Sequence, residues 1–400
     1  MPPYGQVIVG PPGSGKSTYC SGMNEFLRSI GRHCCIVNMD PANDRLPYDY
    51  AIDIRDFVTL EEIMDDENLR LGPNGGLVYA LEVLESNIEI FINKVKSLID
   101  VGKDDEGFQS TYVLFDCPGQ TELYTSSPIM NKIFTTLIKE LDFRLCVVSL
   151  IDCVNIMVPS NYISSLLLSL RTMLQMDLPQ VNIFTKIDLI KGYIDSEKMS
   201  KVSRKDFKRK TGDDDHDDHD GHEHHEHGDD SEGLPFDLQY YADVQDLSYL
   251  TPYVMTEENN SRKLFFKDKY QRLTELIAEL IEDFGLLKFE VLSIEDKFSM
   301  IKLLKIIDKS NGYIFGSSEI GGDTIWKDIM EEGYDNEWED IDIQERWVDN
   351  KEEYDELEGE KRKELEEYLQ NAPEEEKHSV ELDAEKEWEL ALKEWESKQV

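Results

Sequence analysis

The sequence predicts an α/β protein, a doubly wound and mostly parallel sheet flanked by helices, and three observations carry that prediction. Short β-branched runs alternate with amphipathic helical stretches through the first 190 residues. A glycine-rich turn joins the first run to the first helical stretch. The run at 143–151 is apolar enough to lie at the centre of a sheet, covered on both faces.

Taken in order, residues 6–10 form the first strand, and a helix follows the turn to about residue 30. The second strand is 34–39. Leu77, Leu81, Leu84, Ile88, Phe91, Val95 and Leu98 keep helical spacing, which predicts one long, half-buried helix over 77–99. Strands at 111–116, 143–151 and 181–185 follow, separated by helices at 128–141 and 160–175. A helical insertion over 191–260 interrupts the rhythm, and within it 213–232 is nearly all Asp, His, Glu and Gly, a composition that cannot bury a core and predicts disorder. Helix 262–283, strand 289–293 and helix 294–309 resume the pattern. A boundary near 318 separates this domain, 1–318, from an acidic extension, 319–400.

The net charge of −42 is unevenly spread. Segment 213–232 contributes −11 and segment 319–400 contributes −21, so the remaining chain is ordinary in charge. An acidic surface excludes broad, direct nucleic-acid binding, which needs cations to displace counterions. No apolar run reaches the roughly 18 residues that cross a bilayer, so no membrane role is expected. The six cysteines lie within the first 153 residues with no paired metal spacing, which fits reduced thiols in the cytoplasm or nucleus.

Three motifs carry chemistry. Gly10-Pro11-Pro12-Gly13-Ser14-Gly15-Lys16-Ser17, followed by Thr18, is a phosphate-binding loop in the right setting, with a strand entering and a helix leaving. Its backbone N–H groups cradle phosphates, Lys16 reaches the terminal phosphates, and the Ser17 hydroxyl takes a position on Mg²⁺. The fold is therefore expected to be that of a P-loop NTPase. Asp116-Cys117-Pro118-Gly119-Gln120 ends a strand opposite that loop, with Glu122 just beyond. Asp116 there holds Mg²⁺, Gly119 offers an N–H to the γ-phosphate, and Gln120 orients the attacking water. Asp40, at the end of the second strand, aims a further carboxylate at the same edge, or serves only as a turn residue before Pro41. Thr185-Lys186-Ile187-Asp188 ends another strand. A carboxylate at Asp188 accepts from guanine N1 and N2, which adenine does not offer, while the Lys186 stem packs on the base. Leu71-Gly72-Pro73-Asn74-Gly75-Gly76 on its own reads as the start of a helix.

Together these motifs resemble the GPN-loop GTPase family, named for its Gly-Pro-Asn. The resemblance runs over about 4–315 and rests on Gly72-Pro73-Asn74, on Asp116 through Glu122, and on Asp40-Pro-Ala-Asn43. Leu46-Pro47-Tyr48, Asp246-Leu-Ser-Tyr-Leu250 and Asp308-Lys-Ser-Asn-Gly-Tyr313 are most similar to the second of the three eukaryotic branches. The resemblance implies a dimer, with itself or with a paralogous GPN-loop GTPase, in which Asn74 of one subunit reaches the nucleotide of the other. It implies that Asp40, Gln120 and Glu122 arrange the water. It also implies a role in cytoplasmic assembly and nuclear import of RNA polymerase II, with its subunits or assembly factors as partners and shuttling to the nucleus. Two departures stand out: Thr185 occupies a position where many GTPases carry Asn, which removes one amide contact to the base, and the tail beyond 315 inherits nothing from the family.

Two other readings stay open. A small-molecule kinase would use the same phosphate loop, with adenine preferred over guanine. A non-catalytic scaffold would bind GTP without turning it over. In the appendages, six histidines within 213–232 suit weak metal binding or a solvated spacer. All five tryptophans lie after 318, and Trp388, Ala391, Leu392 and Trp395 would form one apolar stripe on a helix, docking on the chain itself or on a partner.

Overall fold

The computed structural model describes residues 2–30, 32–43, 45–101, 111–196, 234–254, 267–313, 343–352 and 354–356. The insertion 213–232 and the Trp388–Trp395 stripe lie outside the described residues. The chain divides into two compact units, Met1–Glu319 and Ile320–Val400.

In the first unit, seven strands form one parallel sheet: β1 Tyr4–Val9, β2 Cys34–Asn38, β3 Ile52–Asp53, β4 Tyr112–Asp116, β5 Arg144–Asp152, β6 Gln180–Thr185 and β7 Phe289–Leu292, in the order β3-β2-β4-β1-β5-β6-β7. β1 sits between β4 and β5, so the strand order reverses beside it. That places a crevice at its carboxyl end, where open α/β sheets bind ligands.

Alternate residues of each strand serve opposite faces. Val7, Val9, Val113 and Phe115 pack with α3 (Pro73–Ser86), α4 (Ile88–Val101) and α6 (Ile129–Leu141). Ile8, Tyr112, Leu114 and Cys146 pack with α1 (Lys16–Ser29) and with α10 (Lys297–Asn311). The side-chain period of two thus builds a three-layer sandwich. The remaining helices among the described residues of this unit are α2 (Leu60–Asp65), α5 (Glu122–Thr125), α7 (Pro159–Met176), α8 (Leu238–Ala242) and α9 (Lys267–Phe284).

The single helix expected over 77–99 is two helices. Asn87 breaks it: its side-chain Nδ2 donates to Val83 O at 2.8 Å, competing for a helical carbonyl, and its φ and ψ are −108° and 25°. The apolar phase survives the break, since Leu77, Leu81, Leu84, Phe91 and Val95 enter one core. Hydrophobic spacing reports the buried face and is blind to a one-residue kink. The first of these helices also starts earlier than the spacing suggests, at Pro73. β3 has two residues, too few for a period to register, so the strands at 111–116 and 181–185 are the fourth and sixth rather than the third and fifth. α2 went unread in the sequence, although its start carries a local mark: Thr59 and Glu62 form a reciprocal capping box.

In the second unit, Glu345–Asp349 form a single π-helical turn, with the Arg346 guanidinium over the Trp347 ring and paired to Asp355 at 3.0 Å.

Candidate functional site

The carboxyl ends of β1, β2, β4, β5 and β6 deliver the predicted residues to one edge of the sheet. After β1 the chain turns through residues 10–15, with Gly13 and Gly15 at φ of 81° and 89°, conformations that a Cβ would strain. Gly15 is the N-cap of α1, and no side chain caps its first N–H groups. Those donors stay open to an anion. Lys16 is buried and donates to Gly10 O and Pro11 O, both at 3.1 Å, folding its ammonium into the loop. Burial pushes its pKa down, while Asp116 and Asp40 pull the other way. Gly119 closes the loop from the opposite side. A Cβ there would stand 3.1 Å from Lys16 Nζ and 3.3 Å from Pro12 Cα, tighter than most such contacts, so a side chain at this position would press on the lysine and the loop.

Asp116 ends β4 almost fully buried. Its Oδ2 accepts from the Tyr48 hydroxyl at 2.6 Å, and its Oδ1 is buried with no hydrogen-bond partner. Burial raises its pKa, opposed by the Tyr48 and Ser17 hydroxyls. Ser17 Oγ accepts from Asn43 Nδ2 at 3.1 Å. The turn carrying Asn43 is itself anchored: Arg55 Nη1 donates to Asn43 O at 3.0 Å, and Asp53 holds the guanidinium. Asn38 joins Asp53 to the backbone of Asp40. Asp40 accepts from Ala42 N–H at 3.0 Å, and burial raises its pKa. It therefore does the turn work as well as facing the site.

At the other side of the loop, the Thr185 hydroxyl donates to Ser14 O at 2.8 Å, with Ile151 O at 3.2 Å. Thr185 is buried and ties the end of β6 to the phosphate loop. Lys186 bridges Gly13 O at 2.7 Å and the Asp152 carboxylate at 2.6 Å, its N–H donors fixing the stem across the loop. Asp188 stands in the short turn Ile187–Leu189, half-buried, with no hydrogen-bond or ion-pair partner among the described residues. Thr18 is exposed on the first turn of α1.

Gly72, Pro73 and Asn74 are the N-cap and first turn of α3, with proline at N1 where a missing N–H costs nothing. Asn74 is exposed and its Oδ1 accepts from Gln120 Nε2 at 2.8 Å within the same chain. Glu122 is exposed at the start of α5. Tyr48, Asp152 and Arg55 were absent from the sequence-derived site. Tyr48 stood out only as part of the Leu46-Pro47-Tyr48 resemblance, with no role, and the site partners of Tyr48, Asp152 and Arg55 lie 68, 34 and 12 residues away.

Oxygen donors suit a hard divalent cation: the unpartnered Asp116 Oδ1, the Ser17 hydroxyl and Asp40. No cluster of three or more His, Cys, Asp or Glu side chains suited to a metal occurs among the described residues. A cation held by one or two protein oxygens plus phosphates requires none.

A glycine-rich loop between the first strand and first helix, a buried lysine, and a carboxylate ending the neighbouring strand define a P-loop nucleoside-triphosphatase fold. Residues 8–227 match a family described as "Conserved hypothetical ATP binding protein". GPN-loop GTPase 2 of Saccharomyces cerevisiae is 49% identical over 399 residues, covering 99% of this chain and 98% of that protein. GPN-loop GTPase 2 of Schizosaccharomyces pombe is 42% identical, covering 90% and 95%. GPN-loop GTPase QQT1 of Arabidopsis thaliana is 43% identical, covering 78% and 86%. A GTPase from Pyrococcus abyssi, solved in its apo form, aligns with a TM-score of 0.49 at 21% identity, covering 77% of this chain and 97% of that one. The chain belongs to the GPN-loop GTPase family. The likeness to the S. cerevisiae relative runs through the tail, where the motifs alone suggest an end near residue 315, whereas the match to the A. thaliana relative spans 312 residues, so the tail is shared with some relatives and not with others.

Proposed function

We propose that this chain hydrolyses GTP to GDP and phosphate with Mg²⁺, and that it works as a dimeric switch. One observation carries the reading: the ends of β1, β4 and β6 meet around the phosphate loop with Lys16, Ser17, Asp116 and the Lys186–Asp188 turn in one crevice. Phosphoryl transfer requires little covalent help from a protein, so positioning and charge neutralisation are what this crevice supplies.

The uncapped N–H groups of residues 15–18, at the start of α1, receive the β- and γ-phosphates. Lys16 then exchanges its two loop carbonyls for phosphate oxygens, which return the charge that burial disfavours. Ser17 and Asp116 would hold Mg²⁺, which neutralises developing charge on the phosphates when bound. Gly119 donates its N–H beside the γ-phosphate. Gln120, with Asp40 and Glu122, orients the water. The base lies along the Lys186 stem, and the unpaired Asp188 carboxylate accepts from guanine N1 and N2. Thr185 serves the base pocket through the loop it ties down.

Asn74 completes the site from a second subunit, either another copy or a paralogue. In the single chain its amide is paired with Gln120, so dimer formation would exchange that contact for the partner's nucleotide. The wider role in assembly and nuclear import of RNA polymerase II, with its subunits or assembly factors as clients and a cytoplasmic protein shuttling to the nucleus, rests on the family resemblance.

Phosphate release from purified protein tests the chemistry. GTP should be turned over, ATP should not, and Asp188→Ala should erase the preference; adenine preference would favour a kinase, and GTP binding without turnover a scaffold. Mixing Lys16→Ala with Asn74→Ala subunits tests the trans arrangement. Mixed dimers hold one intact site if Asn74 acts across the interface and none if it acts within its own chain, so recovered activity is expected and its absence rejects the trans reading.

A further inference from the structure

Resting on the GTPase reading, we infer that Tyr48 is a positioning residue for the metal-side carboxylate: it locks Asp116 so that a single oxygen faces the cation. Tyr48 lies in the loop after β2 and packs in the core beside Tyr19, Cys20 and Met23 of α1. Ser21 Oγ of that helix donates to Pro47 O at 3.2 Å, fixing the backbone one residue before the ring. Tyr48 is 9% exposed, so its side chain is held by packing as well as by its bond.

The carboxylate torsion of an aspartate is broad and roughly two-fold, so an unheld Asp116 would offer either oxygen in a range of directions. The 2.6 Å bond from the Tyr48 hydroxyl occupies Oδ2. Short O–H···O⁻ bonds of this kind are among the strong ones. Oδ1 is thereby left as the buried, unpartnered acceptor of the carboxylate. A phenol has one proton to give, and here it is committed to Asp116. Tyr48 therefore has no proton left for a phosphate and acts through the carboxylate. Groups that orient a metal ligand in this way change metal affinity by about 10–100-fold when removed.

Tyr48→Phe in the full-length chain deletes the hydroxyl and keeps the ring. The GDP-bound protein is titrated with Mn²⁺ and free metal is followed by electron paramagnetic resonance. Tyr48→Phe is expected to bind Mn²⁺ about tenfold more weakly, with GDP affinity in chelator unchanged. The Mg²⁺ needed for half-maximal GTP turnover should rise by a similar factor. In an Asp116→Asn background the same substitution should add nothing, because its effect is routed through that carboxylate. Unchanged metal affinity, with or without a lower melting temperature, overturns the proposal, and so does an equal loss in the Asp116→Asn background. Wild-type protein that binds no guanine nucleotide would sink the GTPase reading and this inference together; wild-type turnover with an indifferent Tyr48→Phe sinks the inference alone.

Discussion

The two ends of the sheet handle buried polar groups in opposite ways. At the amino end, polar groups pair with one another. Arg32 meets Asp308 at 2.6 Å and lies over the Tyr313 ring, Tyr19 donates to Gln6, and Gln6 and Asn311 both donate to the Tyr112 hydroxyl. At the carboxyl end, Asp116 Oδ1 and Ser14 Oγ are buried without partners, and burial disfavours the charge on Lys16, Asp40 and Asp116 alike. Arg32 Nη1 and Asp308 Oδ1 are also unpaired, yet their residues are compensated as an ion pair. One end spends its polar groups on the fold. The other holds them in reserve for phosphate and metal.

That contrast predicts opposite outcomes for two substitutions. Lys16→Ala should lower GTP turnover by about 100–1000-fold, the scale of losing one charge-stabilising donor, while leaving melting temperature unchanged or higher, since a desolvated charge is removed. Asp308→Ala should do the reverse. Stranding the Arg32 guanidinium should cost about 3 kcal/mol in urea unfolding, with turnover per folded molecule preserved. Equal loss of stability in both variants would break the distinction.

A smaller effect lies in the interior between the two ends. Burial pushes the Cys146 thiol up to about 12. A raised pKa means the folded state keeps its proton when the unfolded state has lost it, so the contribution is intact below the ordinary thiol value near 9.0 and is lost as pH climbs toward 12. Unfolding free energy should therefore fall with pH above about 9 by at most about 1.4 kcal/mol per pH unit from this group. Cys146→Ala should flatten that slope; urea titrations at pH 8, 9 and 10 compare the two proteins with all other ionisations shared.

Much of the site was legible because its parts are local. The phosphate loop needs glycines, lysine and a hydroxyl within eight residues, while Asp116 closes a strand, and Asp188 follows one within three residues, that its own composition announces. The Asp308–Tyr313 motif was equally visible, but its purpose was not. It proves to be the amino-end network, with Tyr313 N–H donating to Asn311 Oδ1 and Tyr313 edge-on to Tyr4. Thr185 shows the same limit. Read against base recognition it looked like a missing amide, whereas its hydroxyl secures the loop through Ser14.

By itself the sequence determined the alternation of strands and helices, the two-faced core and the phosphate loop, because period, composition and short motifs act within a few residues. Tertiary structure decided which distant groups complete the site. Tyr48 reaches Asp116 only because β2 and β4 are neighbours in the sheet, and Lys186 reaches Asp152 only because β5 and β6 are. Strand order is a property of the packed chain: no window of sequence contains both ends of those bonds.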